Sequence, residues 1–556
     1  MGAQCAPIRR KVGVMLSGRK WAGIIRVRGL ALGLCLLLAG CGEREIEATP
    51  AVTPPPEPTA AVSVSPVYTD WSKLEPYEAP EVKYTRQQEA FMDTFLPGDY
   101  GAVIPFAGAA LTREESWSGY YDTYNLYGLV TLEGEVVTDP VFSSAYALKE
   151  RDMWGGITEN PGVWLLGKVL PSPHGGEPEE WFALCAMDGS WCTDFLYHYD
   201  WEMMMTASFD GGLPLPCRGG GIALVDPYTG RELLRVDCSA WLTDTAYWNG
   251  IYADPDSGYL SANLYDWEAD ARVPLVFDPQ GERVALPPEV CWVGQCGDGL
   301  IPAQVMEAGG SAWYGYVDAG TGQWAIEPIY RNGEPFSHGV APVSDGTNGY
   351  FIDKTGRALT GGHSTRFQKH GDYWYFLDEN WSSVTAVFDL SGREVDSPLV
   401  GMSSPSFNKE GWVSAQTGSE RLLVRGRESH SFPLDLGWLS DIQGDRVLFT
   451  REGVGGESSV SVLMSLEGET LGSWERSYAY FVQDDLTGES YVRISPYLET
   501  KEGVRYHDLD GTYLFSAPSS ASSYGDTLYQ WEDGYTSLTD REGRLIFGWR
   551  YPLAED

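Results

Sequence analysis

Cysteine gives this chain its widest scope for covalent chemistry: nine are present, against seven histidines. Cys5, Cys35 and Cys41 fall in the N-terminal stretch. The other six, Cys185, Cys192, Cys217, Cys238, Cys291 and Cys296, all fall within one third of the chain. An even set in an oxidising compartment permits disulfides, in many connectivities. Cys185 and Cys192 flank the turn Met187-Asp188-Gly189-Ser190, so a hairpin there would set them face to face. Cys291 and Cys296 are also close enough in sequence to bridge. Six buried thiols are the competing expectation. Zinc is not indicated, because neither CxxC spacing nor a nearby His pair is present.

Acid–base and phosphate chemistry find little support. No HExxH, GxSxG, GxGxxG or EF-hand pattern occurs. Gly162-Val163-Trp164-Leu165-Leu166-Gly167-Lys168-Val169 has the glycine spacing of a phosphate loop, but Val169 cannot ligate magnesium and the run reads as a strand. His338 sits between Ser337 and Gly339, and His363 and His370 have no acid and nucleophile fixed beside them, so structural roles are expected. Among 78 acidic residues no pair stands out for glycoside hydrolysis. Asp254-Pro255-Asp256-Ser257-Gly258 is an oxygen-rich loop that suits a weak calcium site or a plain surface turn. No other cofactor is implied.

Aromatic residues carry the remaining functional hint. Trp181, Trp191, Trp201, Trp241, Trp248, Trp267 and Trp292 crowd one region, with Tyr373-Trp374-Tyr375 and Trp381 further on. An exposed Trp face stacks on sugar rings or anchors a protein interface, whereas a buried one fills the core of a sheet.

The elements that must position these groups are short strands. The composition, with 65 Gly, 34 Pro, 21 Trp and 32 Tyr, suits many strands and turns better than long helices. An acid-to-glycine turn signal recurs at Glu133-Gly134, Asp188-Gly189, Asp226 to Gly230, Asp278 to Gly281, Asp318 to Gly322, Asp353 to Gly356, Asp389 to Gly392, Glu467-Gly468, Asp508 to Gly511 and Asp540 to Gly543. Asp bonds its own backbone in such a turn, and Gly supplies the positive φ. A worn copy is expected near Leu422-Leu423-Val424-Arg425-Gly426, which brings the spacing to about 40 residues. The expected fold is all-β, repeated antiparallel hairpins in a β-propeller-like array, with an open β-solenoid of stacked hairpins as the alternative.

The clearest copies lie between Trp313 and Arg357. Tyr314-Gly315-Tyr316-Val317-Asp318, Gly322, Ile326, Pro328, Tyr330, Phe336, Gly339, Ala341 and Val343 follow one pattern, which restarts at Gly349-Tyr350-Phe351-Ile352-Asp353. Tyr127-Gly128-Leu129-Val130 with Gly134, Pro140 and Phe142 is a further match. This pattern resembles the WG-repeat family, with Tyr314 and Tyr127 where the family has Trp. The resemblance implies repeat modules on bacterial envelope or secreted proteins. It implies no catalytic residues.

The N-terminus reads separately. Seven basic residues, Arg9, Arg10, Lys11, Arg19, Lys20, Arg26 and Arg28, precede the short apolar run Leu30 to Leu38, and Leu38-Ala39-Gly40-Cys41 closes it. The run falls short of the roughly 20 residues a membrane span needs. It resembles the bacterial lipobox, which implies cleavage before Cys41 and lipidation of Cys41, with either Met1 or Met15 as the start. The expected divisions are a leader at 1–41, a Pro/Thr-rich tether at 42–67, a lead-in at 68–112 with a short helix over Thr85 to Phe95, and a repeat domain at 113–556. Net charge is −39 and would become more negative without the basic leader, which excludes nucleic acid and anionic lipid surfaces as partners. The function expected is a lipid-anchored envelope module on the extracytoplasmic face of the cell membrane. It would act without catalysis, binding an unknown protein or glycan; a glycan-active enzyme on a propeller is the alternative.

Overall fold

The structure, a computed structural model, describes residues 98, 100–112, 123–151, 157–170, 179–199, 209, 211–242, 246–307, 310–452, 459–496, 503–532 and 534–551. The chain divides into two units, 1–63 and 64–556, and every described residue lies in the second. The leader with Cys41, the tether, the helix expected over Thr85 to Phe95, and Trp201 lie outside the described residues.

The fold is all-β. Among the described residues, helix is limited to two single 3-10 turns, Lys409–Gly411 and Leu434–Leu436. Among the described residues, eleven antiparallel sheets of three or four strands follow one another along the chain. They span 103–142, 144–186, 213–237, 246–277, 290–330, 332–353, 366–389, 406–433, 438–475, 477–517 and 522–550, and are numbered here in that order. Each is a meander, as expected where a tight turn joins successive strands. The worn copy near Leu422 is the turn between Glu420–Arg425 and Glu428–Pro433 of sheet 8, with Gly426 at φ 61°. Sheet 2 carries an inserted hairpin, Glu150–Arg151 with Ile157–Glu159. The stretch read as a lead-in ends in the array: Val103–Thr112 is the first strand of sheet 1 and pairs with Thr123–Thr131.

Alternation along each strand explains how the sheets stack. Successive side chains point to opposite faces, so a strand buried on both sides serves two cores. In sheet 5, Ile301, Ala303 and Val317 pack with Val276 of sheet 4. Their neighbours Leu300, Tyr316 and Ile326 pack with Ala341, Val343 and Ile352 of sheet 6. Sheet 6 in turn offers Val340 and Phe351 to Phe367, Phe376 and Phe388 of sheet 7. Each large apolar side chain so buried contributes about 1.5–3 kcal/mol relative to exposure. Turns of neighbouring sheets are also linked by carboxylates: Asp298 accepts the Gly339 N–H at 2.6 Å, Glu410 the Gly444 N–H at 2.9 Å, and Asp484 the Gly525 N–H at 2.8 Å.

The array closes on itself. Leu538, Phe547 and Trp549 of sheet 11 share one core with Ile104, Phe106 and Leu129 of sheet 1. Trp549 Nε1 donates to the Gly108 carbonyl at 2.8 Å, and the Thr536 hydroxyl donates to the Ala107 carbonyl at 2.5 Å. An open solenoid leaves two apolar end faces that need capping. Here the two end faces cover each other, which favours the propeller-like arrangement over the open stack.

The acid-to-glycine turns are self-satisfied. Asp353 Oδ1 accepts the Thr355 hydroxyl at 2.6 Å, the Thr355 N–H at 2.9 Å and the Arg357 N–H at 3.2 Å, with Gly356 at φ 81°. The Thr355 hydroxyl, helped by those N–H groups, holds the Asp353 carboxyl down at about 2.

Candidate functional site

The structure scatters the cysteines. Cys185 and Cys192 are joined across the turn they flank, with an S–S distance of 2.01 Å. Cys217, Cys238 and Cys296 are buried thiols, and Cys291 is a half-buried one. The expected bridge between Cys291 and Cys296 is not formed. Cys296 packs in the core between sheets 4 and 5, with its Sγ 3.9 Å from the Ser257 hydroxyl, whereas Cys291 lies beside Arg272. Burial pushes the Cys217 thiol up to about 11, and the Cys238 and Cys296 thiols up to about 12. Thiols held protonated in this way are poor nucleophiles at neutral pH.

The other sequence candidates resolve into structural roles. Gly162 to Val169 is not a loop: Val163–Leu170 is a strand of sheet 2, and Lys168 is buried with its ammonium 4.7 Å from the Phe195 ring centre. His370 is buried and donates from Nε2 to the Trp412 carbonyl at 3.0 Å. His363 packs against the Phe376 and Phe388 rings, and His338 occupies an exposed turn with its Nδ1 2.8 Å from the Ser337 hydroxyl. In the Asp254 loop the buried carboxylate takes the Ser257 hydroxyl, and the Asp254 carbonyl takes the Gly258 N–H at 2.9 Å. Among the described residues no group of three or more His, Cys, Asp or Glu converges as metal ligands would.

The aromatic residues divide sharply. Trp181, Trp374 and Tyr375 are core residues, and Trp191, Trp241, Trp248, Trp292 and Tyr373 are half-buried. Trp267 is 51% exposed and Trp381 46% exposed. The Trp381 ring lies 5.8 Å from the Arg366 guanidinium. Trp267 has company, and its surroundings make the candidate site.

That site is one end of sheet 4. Ala246–Ala253 and Leu260–Asp266 pair so that Tyr247 lies opposite Tyr265. Leu264, next along the strand, points into the core with Ala262 from the same face, so alternation sends Tyr265 outward. The Tyr247 and Tyr265 rings meet edge to face at 5.6 Å, and Tyr247 is 51% exposed. The turn beyond is set by Asp266, whose Oδ1 accepts the Glu268 N–H at 3.1 Å and the Ala269 N–H at 3.0 Å, leaving Trp267 at its tip. The Tyr265 hydroxyl donates to Asp270 Oδ1 at 2.8 Å, and that bond pushes the Tyr265 pKa up. Flat apolar rings beside exposed carboxylates are the groups that stack on the C–H faces of sugars while accepting hydrogen bonds from their hydroxyls. Sequence reasoning named Trp267 within a crowd of seven. It missed Tyr247 and Tyr265, whose signal is only their cross-strand register.

Comparison with known proteins bears on the repeat. Residues 314–346 match the family model of the WG containing repeat. No curated protein matches the chain. Among solved structures, the chain is similar to a eukaryotic initiation factor at 10% identity and a TM-score of 0.34, covering 67% of this chain and 97% of that one. It is similar to BamB from Moraxella catarrhalis at 11% identity and a TM-score of 0.24, covering 62% and 95%. The computationally designed protein Ika8 is similar at 13% identity and a TM-score of 0.25, covering 61% and 92%. Likenesses this shallow carry no argument about the site. The chain is an all-β repeat protein of propeller-like form that carries a WG containing repeat at residues 314–346.

Proposed function

We propose that this chain is a non-enzymatic binding module of the bacterial cell envelope, held to the membrane by lipid on Cys41, and that it binds a glycan at the aromatic end of sheet 4. The observation that carries the reading is the exposed pair Tyr247 and Trp267, with the half-buried Tyr265, beside Asp270. Large aromatic side chains left in water lose the stabilisation that burial would give them, and a ligand that covers them restores it. The anchor rests on the sequence leading to Cys41.

The test is a screen of glycans and cell-wall fragments against the purified chain, with and without calcium. Saturable binding that is lost in Trp267→Ala and weakened in Tyr247→Ala is the expected result. Binding that survives both changes would remove the site from sheet 4, and cleavage of any screened glycan would replace the binding module with an enzyme. For the anchor, the Cys41→Ala chain is expected to leave the membrane fraction.

A further inference from the structure

Arginine recurs at the exit of the acid-to-glycine turns, as Arg231, Arg357, Arg393 and Arg544, and Arg427 takes the same place in sheet 8. In two of these turns the guanidinium folds back on the opening aspartate. Arg357 Nε donates to Asp353 Oδ2 at 3.2 Å, and Arg544 Nε donates to Asp540 Oδ2 at 2.6 Å. Asp389 is arranged almost as Asp353 is, with Oδ1 accepting the Ser391 hydroxyl at 2.6 Å, the Ser391 N–H at 2.9 Å and the Arg393 N–H at 3.1 Å. Yet the Arg393 guanidinium hydrogen-bonds to no described residue and acts on Asp389 only through space. The adjoining turn of sheet 8 has no opening aspartate. Its Glu428 is taken by Arg425 at 2.9 Å and His430 at 3.1 Å, so Arg427 also has no carboxylate bonded to it among the described residues.

Both arginines line a single cleft of about 390 Å³ between sheets 7 and 8, together with Tyr373, Asp389, Glu394 and Val395. That volume suits a ligand of monosaccharide size. The Tyr373 ring lies directly on the sheet 8 turn: a Cβ at Gly426 would come within 2.0 Å of it, so glycine is required there. The two guanidiniums share this cleft with the Asp389 and Glu394 carboxylates but hydrogen-bond to neither, and an oxyanion placed between them would fill their planar donor sets. This is notable on a chain of net charge −39, where carboxylates to pair with are plentiful.

We propose that this cleft binds a small acidic sugar, its carboxylate or phosphate held by Arg393 and Arg427 and its ring set against Tyr373. The site lies at the acid-to-glycine end of the array, whereas Tyr247 and Trp267 lie at the opposite end of sheet 4, so it does not rest on the glycan reading above.

The experiment titrates the purified chain at low ionic strength with glucuronate, with glucose 6-phosphate, and with glucose as the neutral control, following heat of binding. The expected result is saturable one-to-one binding of at least one acid and none of glucose; which acid binds tells carboxylate from phosphate. Arg393→Gln and Arg427→Gln are each expected to weaken binding by about tenfold or more, because each removes a charge-assisted hydrogen bond. Arg393→Lys, which keeps the charge but not the fork, falls between. Arg544→Gln and Trp267→Ala leave the affinity unchanged. Saturation by neither acid, equal binding of glucose, or full affinity in the double Arg393→Gln, Arg427→Gln chain would overturn the proposal. Circular dichroism of the exposed-site variants reports that they fold.

Discussion

Two seams of the array use the same parts at very different chain separations. Between sheets 5 and 6, Tyr316 meets Phe336 edge to face at 4.8 Å, and its hydroxyl donates to the Glu334 carbonyl at 2.9 Å, only 18 residues away. Between sheets 11 and 1, Trp549 meets Phe106 at 4.9 Å, and its Nε1 donates to the Gly108 carbonyl at 2.8 Å, across 441 residues. In both, a buried aromatic ring fills the core and its polar end finds a backbone carbonyl, as a buried donor must. The difference is in what holds the partners together when contacts open. A short connection keeps sheets 5 and 6 close, whereas the closing seam depends on its contacts alone and carries a larger loop-closure cost. The Thr536 and Tyr529 bonds to Ala107, at 2.5 Å and 3.2 Å, add to Trp549 there and have no need of a counterpart in a tethered seam.

The largest effect should come from breaking the closing seam. Trp549→Ala is expected to cost about 3–5 kcal/mol, and hydrogen exchange should rise first in sheets 1 and 11 while sheets 5 and 6 stay protected. Uniform loss of protection would mean that the array unfolds as one unit and the two seams are equivalent. A smaller effect is expected in the local seam. Tyr316→Phe removes one hydrogen bond and keeps the ring, for about 0.5–1.5 kcal/mol by urea denaturation. A loss as large as that of Trp549→Ala would deny the distinction between tethered and untethered seams.

Acid should act on the turns beside both seams alike. The Asp353 carboxyl, in sheet 6, is held at about 2 by the Thr355 hydroxyl and its companion N–H groups. For Asp540, in sheet 11, burial pushes upward, but the Arg544 N–H and guanidinium outweigh it and leave the carboxyl low. A folded pKa below the unfolded value of about 3.9 stabilises the native state above that pH and ceases to do so as pH falls through the folded value. The urea midpoint should therefore be flat from pH 7 to about 5 and fall between about 4 and 2. Thr355→Ala should raise the Asp353 pKa, read by its carboxyl NMR shift. An unmoved shift would mean that the hydroxyl is not what holds it.

Much of the architecture is written locally. A turn of Asp and Gly closes within four or five residues, so Asp353 to Gly356 and Asp540 to Gly543 could be placed from sequence, and even the degenerate turn at Gly426 was legible. The candidate site was less so. Trp181 and Trp267 are the same residue in the same crowd. Trp181 sits within a strand paired to Lys168 and is buried, whereas Trp267 stands just past a strand end in water. Arg357 and Arg393 follow turns of nearly the same sequence, yet only Arg357 returns to its own aspartate.

The sequence by itself therefore determined the hairpins, their alternating faces and their repetition, because turn chemistry and strand periodicity act between near neighbours. Only the tertiary structure decided that sheet 11 covers sheet 1, that Val103–Thr112 belongs to the array, and that Arg393 and Arg427 share a cleft. Those outcomes join residues that no local rule connects, and they follow from which apolar face lacks a partner once every hairpin has formed.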